Sequence, residues 1–333
     1  MPNAVLRPDR PDRPVPAAAP PPPPGRRRAA ARRTARPRAA PSRPFRTIVS
    51  PHRLNSRRGR IVYRAVLATV VTVFTLVFVF PLYWMVTGAM KTGEEIAQIP
   101  PTLFPADPSL EAFAEAWELF DLGVLLTNTA FYAAGAWLFV MAVDVAAAFA
   151  LSKLRPVFGG VILGAMLATL MIPPMVVLLP LFLTAKSVPL LGWDLLNTPW
   201  AIWLPAAANG FNIFLLKRFF DSIPRELVEA AEIDGASPLR ILRSVVIPVS
   251  RPILGVVSIF TVVNVFRDFV WPLMVLTESD KMTISVGLSQ VSNQVTQNAL
   301  MAGLVIASIP TVVVFFFFQR SIMAGLTAGG LKG

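Results

Sequence analysis

The sequence predicts an all-α membrane protein with six transmembrane helices and both termini on the cytoplasmic side. Three observations lead there. Hydrophobic residues make up 54% of the 333, more than a soluble chain of this length hides in its core. Six apolar stretches are each long enough to cross a bilayer. The basic residues between them gather in alternate connecting segments.

Residues 1–60 hold 16 Arg and two Asp, net +14, so a chain of net charge +12 leaves −2 for the remaining 273 residues. The same stretch contains the run Ala19 to Pro24 and the triplet Arg26 to Arg28. It buries too little apolar surface to offset the entropy of ordering, so 1–60 reads as a disordered tail attracted to anionic headgroups. Without interleaved aromatics or a folded scaffold, nucleic acid is not expected as a partner.

The membrane domain is expected over 61–333. Ala65 to Met90 is 26 residues without a charge, about 39 Å as helix against a core of roughly 30 Å. Ser56-Arg57-Arg58 ahead of it resembles a twin-arginine export signal, but the apolar stretch exceeds the ~7–15 residues of such a signal and reads as a retained first span. Further spans are expected at about 122–151, 157–185, 199–216, 253–276 and 299–318. The segment from Lys217 to Arg251 carries six Lys or Arg and joins the tail on the cytoplasmic side; Lys91 to Asp121 carries seven acids against one Lys and falls outside. Prolines at Pro173-Pro174, Pro180 and Pro205 interrupt the spans, and broken helices in a bilayer often line a pathway.

With no Cys and one His, His52 in the tail, disulfides, thiolate metal sites and imidazole catalysis in the membrane domain are excluded. No nucleotide-binding loop is present, no metal or cofactor is expected, and the chain does not read as an enzyme.

Asp221 to Pro248 is too polar to span and is punctuated like two short helices. Asp221 and Ser222 are candidate caps before Pro224, and Leu227, Val228, Ala230, Ala231 and Ile233 form an apolar side. Gly235 supplies a left-handed stop. Ser237-Pro238 launches a second helix through Leu239, Arg240, Ile241 and Leu242, which Pro248 is expected to end. A DNA-binding reading fails on Glu226, Glu229 and Glu232 in the first helix. The small residues Ala230, Ala231, Gly235 and Ala236 at the apex suit close docking into a partner's cleft.

The run Glu229-Ala230-Ala231, then Asp234-Gly235-Ala236, then Ile247-Pro248, between the fourth and fifth of six spans, resembles the EAA loop of permease subunits in binding-protein-dependent ABC importers. Further stretches are similar to the smaller permease of the maltose/oligosaccharide importers: Asn128-Thr129, Met171 to Pro174, Phe214 to Phe220, Asp221 to Leu227, Asp268 to Leu273 and Gly325 to Gly333. The resemblance covers about 62–333. It implies a type I ABC importer permease fold with cytoplasmic coupling helices, in the cytoplasmic membrane of a bacterium. It implies a second homologous permease, a cytoplasmic ATPase dimer and an extracytoplasmic solute-binding protein as partners. Glu229, Ala230, Ala231, Asp234, Gly235, Ala236, Leu239, Arg240 and Pro248 would then couple to the ATPase, the acids facing basic groups and Arg240 acidic ones. The glycine-rich end after Gly325 resembles family tails that reach the ATPase.

Polar residues within spans are the candidates for the solute path: Asn209, Asn212, Asn264 and Asp268, with Trp271, Phe269 and Phe266 available for stacking on a sugar ring. Asn264 and Asp268, spaced i and i+4, are expected on one helix face. Asp144 and Arg267 depart from the uncharged residues expected there, and a pair between them would tie the second and fifth spans. The alternatives are an ABC permease for a non-sugar solute and an ion-coupled secondary transporter, although no inverted repeat joins the two halves.

Overall fold

The computed structural model describes residues 56–330, with side chains through Gln319. The tail expected at 1–60 lies outside it up to residue 55, as do residues 331–333. The chain divides into two units, 1–70 and 71–333. The described part of the first is the opening half of helix α1 (Arg57–Ala89), exposed at nearly every residue.

The described residues form helices and connecting turns. After α1 come two short helices, α2 (Gly93–Ile96) and α3 (Glu111–Leu119), then the long α4 (Leu122–Phe149), which runs on through a π-helical turn at Ala150–Leu154. α5 (Gly159–Thr169) and α6 (Pro174–Lys186) follow, then α7 (Trp200–Ala206) and α8 (Gly210–Asp221). The polar loop holds α9 (Arg225–Ile233), α10 (Pro238–Ile241), a π-turn at Leu242–Val246 and α11 (Ile247–Val249). The chain closes with α12 (Arg251–Arg267), α13 (Val270–Val275), α14 (Ile284–Val291) and α15 (Gln297–Gly330).

Three of these helices are long and apolar enough to cross a membrane, Arg57–Ala89, Leu122–Leu154 and Gln297–Gln319, or up to five if two bent pairs each count as one span. The third span expected at 157–185 is α5 and α6, bent by 105° at the Pro173-Pro174 interruption. Pro174 disfavours helical backbone at Pro173, which sits at φ −57 and ψ 130, so the chain must turn before it restarts. The expected fourth span is broken at 207–209 into helices of 7 and 12 residues, each too short to cross alone. Pro205 has no N–H for the carbonyl of Ala201 one turn earlier; the indole Nε1 of Trp271 donates to that carbonyl at 2.9 Å.

The expected fifth span ends early. Asp268 leaves the helix at ψ 129, so Asn264 and Asp268 do not share a helix face as expected. Pro272 cannot reach back to the carbonyl of Asp268, which accepts from Ser285 Oγ at 2.7 Å. Asp144 and Arg267 do not pair either. The ion pairs among the described residues are Lys217 with Asp221 and Lys281 with Glu278. Gly160 and Gly164 pack against nothing among the described residues, since a Cβ at either would meet no atom within 4 Å.

Helix α4 is a hub of the described bundle. It packs against α7, α8 and α12, and α12 in turn packs along α15. One core cluster joins Val140, Val145, Ala148 and Phe149 of α4 to Ile213, Leu216 and Phe220 of α8 and Val257 of α12. A second gathers Leu122 and Leu125 with Ile284, Val286 and Leu288 of α14. Polar ties reinforce that second contact: Asn128 Nδ2 donates to the carbonyl of Asp280 at 2.7 Å, and Thr129 Oγ1 accepts from the backbone N–H of Ile284 at 2.9 Å.

Where α4 meets α7, Gly135 makes room for a single ring. A Cβ on Gly135 would lie 2.1 Å from the indole of Trp203, whose Nε1 donates to the carbonyl of Tyr132 at 3.1 Å. Gly135→Val must therefore displace that ring, a loss of about 1–3 kcal/mol. Thermal unfolding of the purified chain in detergent is expected to show a lowered Tm for Gly135→Val and an unchanged one for Gly160→Ala.

Candidate functional site

The loop between α8 and α12 forms as its residues dictate, with three differences. α9 ends in a Schellman turn: the N–H of Gly235 donates to Glu232 at 3.0 Å and that of Ala236 to Ala231 at 2.9 Å, with Gly235 at φ +75. Ser237 Oγ caps the second helix by accepting from the N–H of Arg240 at 3.4 Å, with Pro238 in its first turn. The first difference is at the start of α9, where Pro224 stands at the cap position and neither Asp221 nor Ser222 caps. Asp221 is engaged by Lys217 and Ser152 instead, and Ser222 donates to the carbonyl of Phe219 at 2.6 Å.

The second difference is at Pro248. It does not end the second helix but lies inside its last turn, which reaches Val249 before the chain bends by 84° into α12. The preceding π-turn, closed by the N–H of Ile247 on the carbonyl of Leu242, widens the winding ahead of the proline. The third is the apolar side, which divides in two. Val228, Ala231 and Ala236 pack against the α4–α8 core. Leu227, Ile233 and Leu239 face outward, the last two at 86% and 73% exposure. Around them Glu229, Ala230, Asp234, Gly235 and Arg240 are also exposed.

Behind α9 a cleft of about 200 Å3 is lined by Ser152, Lys153, Arg155, Asp221, Arg225 and Glu229, among others. Ser152 Oγ donates to Asp221 Oδ1 at 2.7 Å, Lys217 Nζ to Asp221 Oδ2 at 2.7 Å, and Lys153 Nζ to the carbonyl of Ile223 at 3.2 Å. Burial disfavours the charge on Asp221, but the hydrogen bonds from Lys217 and Ser152 and the charges of Lys217 and Lys153 outweigh it and hold the carboxyl below its ordinary value of 3.8. That stabilisation is complete above the ordinary value and is lost as the pH falls through the lowered one.

The polar residues of the spans collect at the helix breaks. Asn209, exposed, caps α8 by accepting from the N–H of Asn212 at 3.1 Å, while Asn212 is buried. Asp144, fully buried on α4, accepts from the N–H of Asn209 at 3.0 Å. Asn264 and Asp268 are exposed at the end of α12, with Phe266 and Phe269 half-buried beside them. Trp271 is buried and engaged with Ala201. Thus Asn209 and Asn212 are brought together, Asn264 and Asp268 lie in succession at a second break, and Trp271 stands behind in the core.

Sequence reasoning missed Ser152, Lys153 and Asp221 as a cluster, because 69 positions separate Ser152 from Asp221. It also missed the hold of Asn128, Thr129 and Tyr132 on the turn before α14, where Tyr132 Oη donates to the carbonyl of Lys281 at 2.8 Å. Polar residues at i, i+1 and i+4 in an apolar span were the available signal.

Among the described residues the chain is helical, with prolines at its breaks and an exposed Ala/Gly loop. Residues 140–327 match the family described as binding-protein-dependent transport system inner membrane component, and the chain belongs to that family of membrane transport subunits. It is 30% identical over 289 residues to the maltodextrin transport system permease protein MdxG of Bacillus subtilis (strain 168), covering 84% of this chain and 100% of that one. It is 31% identical over 258 residues to the sulfoquinovosyl glycerol transport system permease protein SmoH of Agrobacterium fabrum, covering 76% and 89%. The arabinooligosaccharides transport system permease protein AraQ of Bacillus subtilis (strain 168) is 27% identical over 278 residues, covering 82% and 97%. Among solved structures, a bacterial ABC transporter that imports the acidic polysaccharide alginate matches with a TM-score of 0.70 at 25% identity, over 80% of this chain and 98% of that one.

Asp221→Ala removes the shared acceptor of Ser152 and Lys217 and frees the α8–α9 junction. Limited proteolysis across 221–225 is expected to accelerate at least about threefold, a local opening of under 1 kcal/mol, while Glu226→Ala at an exposed carboxylate changes nothing.

Proposed function

We propose that the chain is one of two permease subunits of an ATP-driven sugar importer in a bacterial cytoplasmic membrane. In this reading it crosses the membrane six times over 61–333, with both termini cytoplasmic. A partner ATPase dimer supplies the energy, and an extracytoplasmic binding protein delivers the solute. The observation that carries the coupling is the exposed apex of the loop, where Ile233 and Leu239 project at 86% and 73% exposure within a ring of Glu229, Asp234 and Arg240. Soluble surfaces rarely leave such a patch uncovered unless a partner fits it.

The apex seats in a cleft of the ATPase, with the exposed Ala230 and Gly235 permitting close approach, Ala231 and Ala236 bracing the loop on the α4–α8 core, and the acids and Arg240 setting the register. Pro248 and the π-turn before it fasten the loop to α12. A short rigid helix pair transmits a rigid-body rotation from the closing ATPases to the membrane helices. The solute passes the helix breaks at Asn209 and Asp268, with Asn264 beside the second and Asn212 and Trp271 supporting the two breaks from within. Amides and a carboxylate at breaks are suited to a sugar's hydroxyls. The substrate class rests on the maltodextrin, arabinooligosaccharide and sulfoquinovosyl glycerol systems of the relatives.

Reconstituted with its partner permease, ATPase and binding protein, the chain is expected to support uptake of labelled oligosaccharide that requires ATP and survives ionophores. Uptake driven by an ion gradient without ATP would show a secondary transporter and overturn the reading.

Gly235→Val places a β-branched residue at φ +75, a strain of about 1–2 kcal/mol that reshapes the apex although no neighbour crowds it. Uptake is expected to fall at least about tenfold, in line with typical coupling free energies, while insertion and chain abundance persist. Wild-type uptake by this variant would remove the loop from the mechanism.

A further inference from the structure

Asp144 is a carboxylate at 0% exposure near the C-terminal end of α4, and no ion pair among the described residues neutralises it. A charge in an apolar span is retained only where something compensates it. Here the compensation is the start of α8: Asp144 Oδ1 accepts from the N–H of Asn209, the cap of a 12-residue helix whose first turn carries the positive end of its dipole. The other oxygen, Oδ2, is buried with no hydrogen-bond partner, so the α8 terminus is the hold on this group.

Eight positions further along, in the π-turn that extends α4, Ser152 Oγ donates to Asp221 Oδ1 at the opposite end of α8, at 2.7 Å. Lys153 Nζ holds the carbonyl of Ile223 just past it. Between these two ties Ile213, Leu216 and Phe220 are buried at 1%, 0% and 0% exposure against Val145, Ala148 and Phe149. The α8 helix is thus fastened to α4 at both ends and packed tightly in between. Its lower end leads through Ser222, Ile223 and Pro224 into α9, and its upper end stops at the break Ala207-Ala208-Asn209.

We propose that Asp144 and Ser152 are two pins that lock α8 to α4, making the helix a rigid lever between the coupling loop and the break at 207–209. Asp144 is the positioning residue of this lever. A push on α9 reaches Asn209 because α8 can neither slide along α4 nor tilt from it without stranding a buried carboxylate. Were the upper pin absent, the same push would be absorbed as slip between α8 and α4. The proposal rests on the coupling role assigned to the loop above.

The test is the amount of solute moved per ATP hydrolysed, measured with the complete reconstituted complex. For Asp144→Leu, similar in size but without an acceptor, ATP hydrolysis is expected to stay within about twofold and the transport ratio to fall about tenfold or more. Asp144→Asn keeps an oxygen for the N–H of Asn209 and is expected to restore most of the ratio, which a merely space-filling role would not require. Ser152→Ala, losing the lower pin, is expected to lower the ratio by about threefold. A wild-type ratio for Asp144→Leu overturns the proposal. If that variant does not assemble, Ser152→Ala decides: a lowered ratio supports the lever, an unchanged one overturns it. Absence of ATP-dependent uptake in the unaltered complex would sink the importer reading first, so the two failures are told apart.

Discussion

Helix α4 is the strut on which the rest of the described bundle depends, because it supplies partners for groups that a hydrocarbon environment would otherwise leave bare. Along its length Asn128 and Thr129 hold the turn before α14, and Tyr132 takes the carbonyl of Lys281. Trp137 Nε1 reaches Ser258 of α12, Asp144 accepts from the N–H of Asn209 at the start of α8, and Ser152 ties Asp221. Between these polar contacts, small or branched residues such as Ala136, Val140 and Ala148 let α7, α8 and α12 come close. A spanning helix has its own backbone satisfied internally, so its side chains are free to serve the broken helices around it.

Two of the breaks are served from outside α4. Pro205 and Pro272 each free a carbonyl that a donor from elsewhere takes up: the Trp271 indole for Ala201, the Ser285 hydroxyl for Asp268. The breaks leave exposed polar residues, Asn209 and Asp268, where continuous helices would have shown only apolar side chains. An aqueous route through a membrane needs such interruptions, and a moving one needs them adjacent to stiff segments. The α4–α8 pair is stiff by virtue of its ends and its core, and the break above it is the compliant element.

The loop from Asp221 to Pro248 was legible in the sequence to the level of its turn chemistry. Gly235 in the left-handed conformation and Ser237 as a cap both follow from local sterics and local hydrogen bonding, which need no tertiary partner. Asp221 was misread as a cap because the competing acceptors and donors, Ser152 and Lys217, are not signalled by its neighbours alone. Pro248 was misread as a stop because a π-turn can absorb a proline that a regular helix would reject. The apolar residues of α9 could be named, but which of them turn inward to the α4–α8 core and which outward to a partner depends on how the helix is docked.

By itself the sequence determined that this is a helical membrane protein and that its polar loop is a rigid, punctuated element, because hydropathy, capping and left-handed glycine are properties of short stretches. The family likeness carried by the Glu-Ala-Ala and Asp-Gly-Ala runs was equally local, and the comparison across 140–327 agrees with it. The prolines at Pro173-Pro174 and Pro205 marked where two spans break, while Pro180 stays inside a helix; only the tertiary structure decided what holds the breaks. Asp144 was expected to find Arg267 and found the end of α8 instead, for a helix terminus 65 positions away offers a buried carboxylate both a donor and a favourable field. Contacts of that kind depend on the packing of distant segments, and no local pattern encodes which segment arrives.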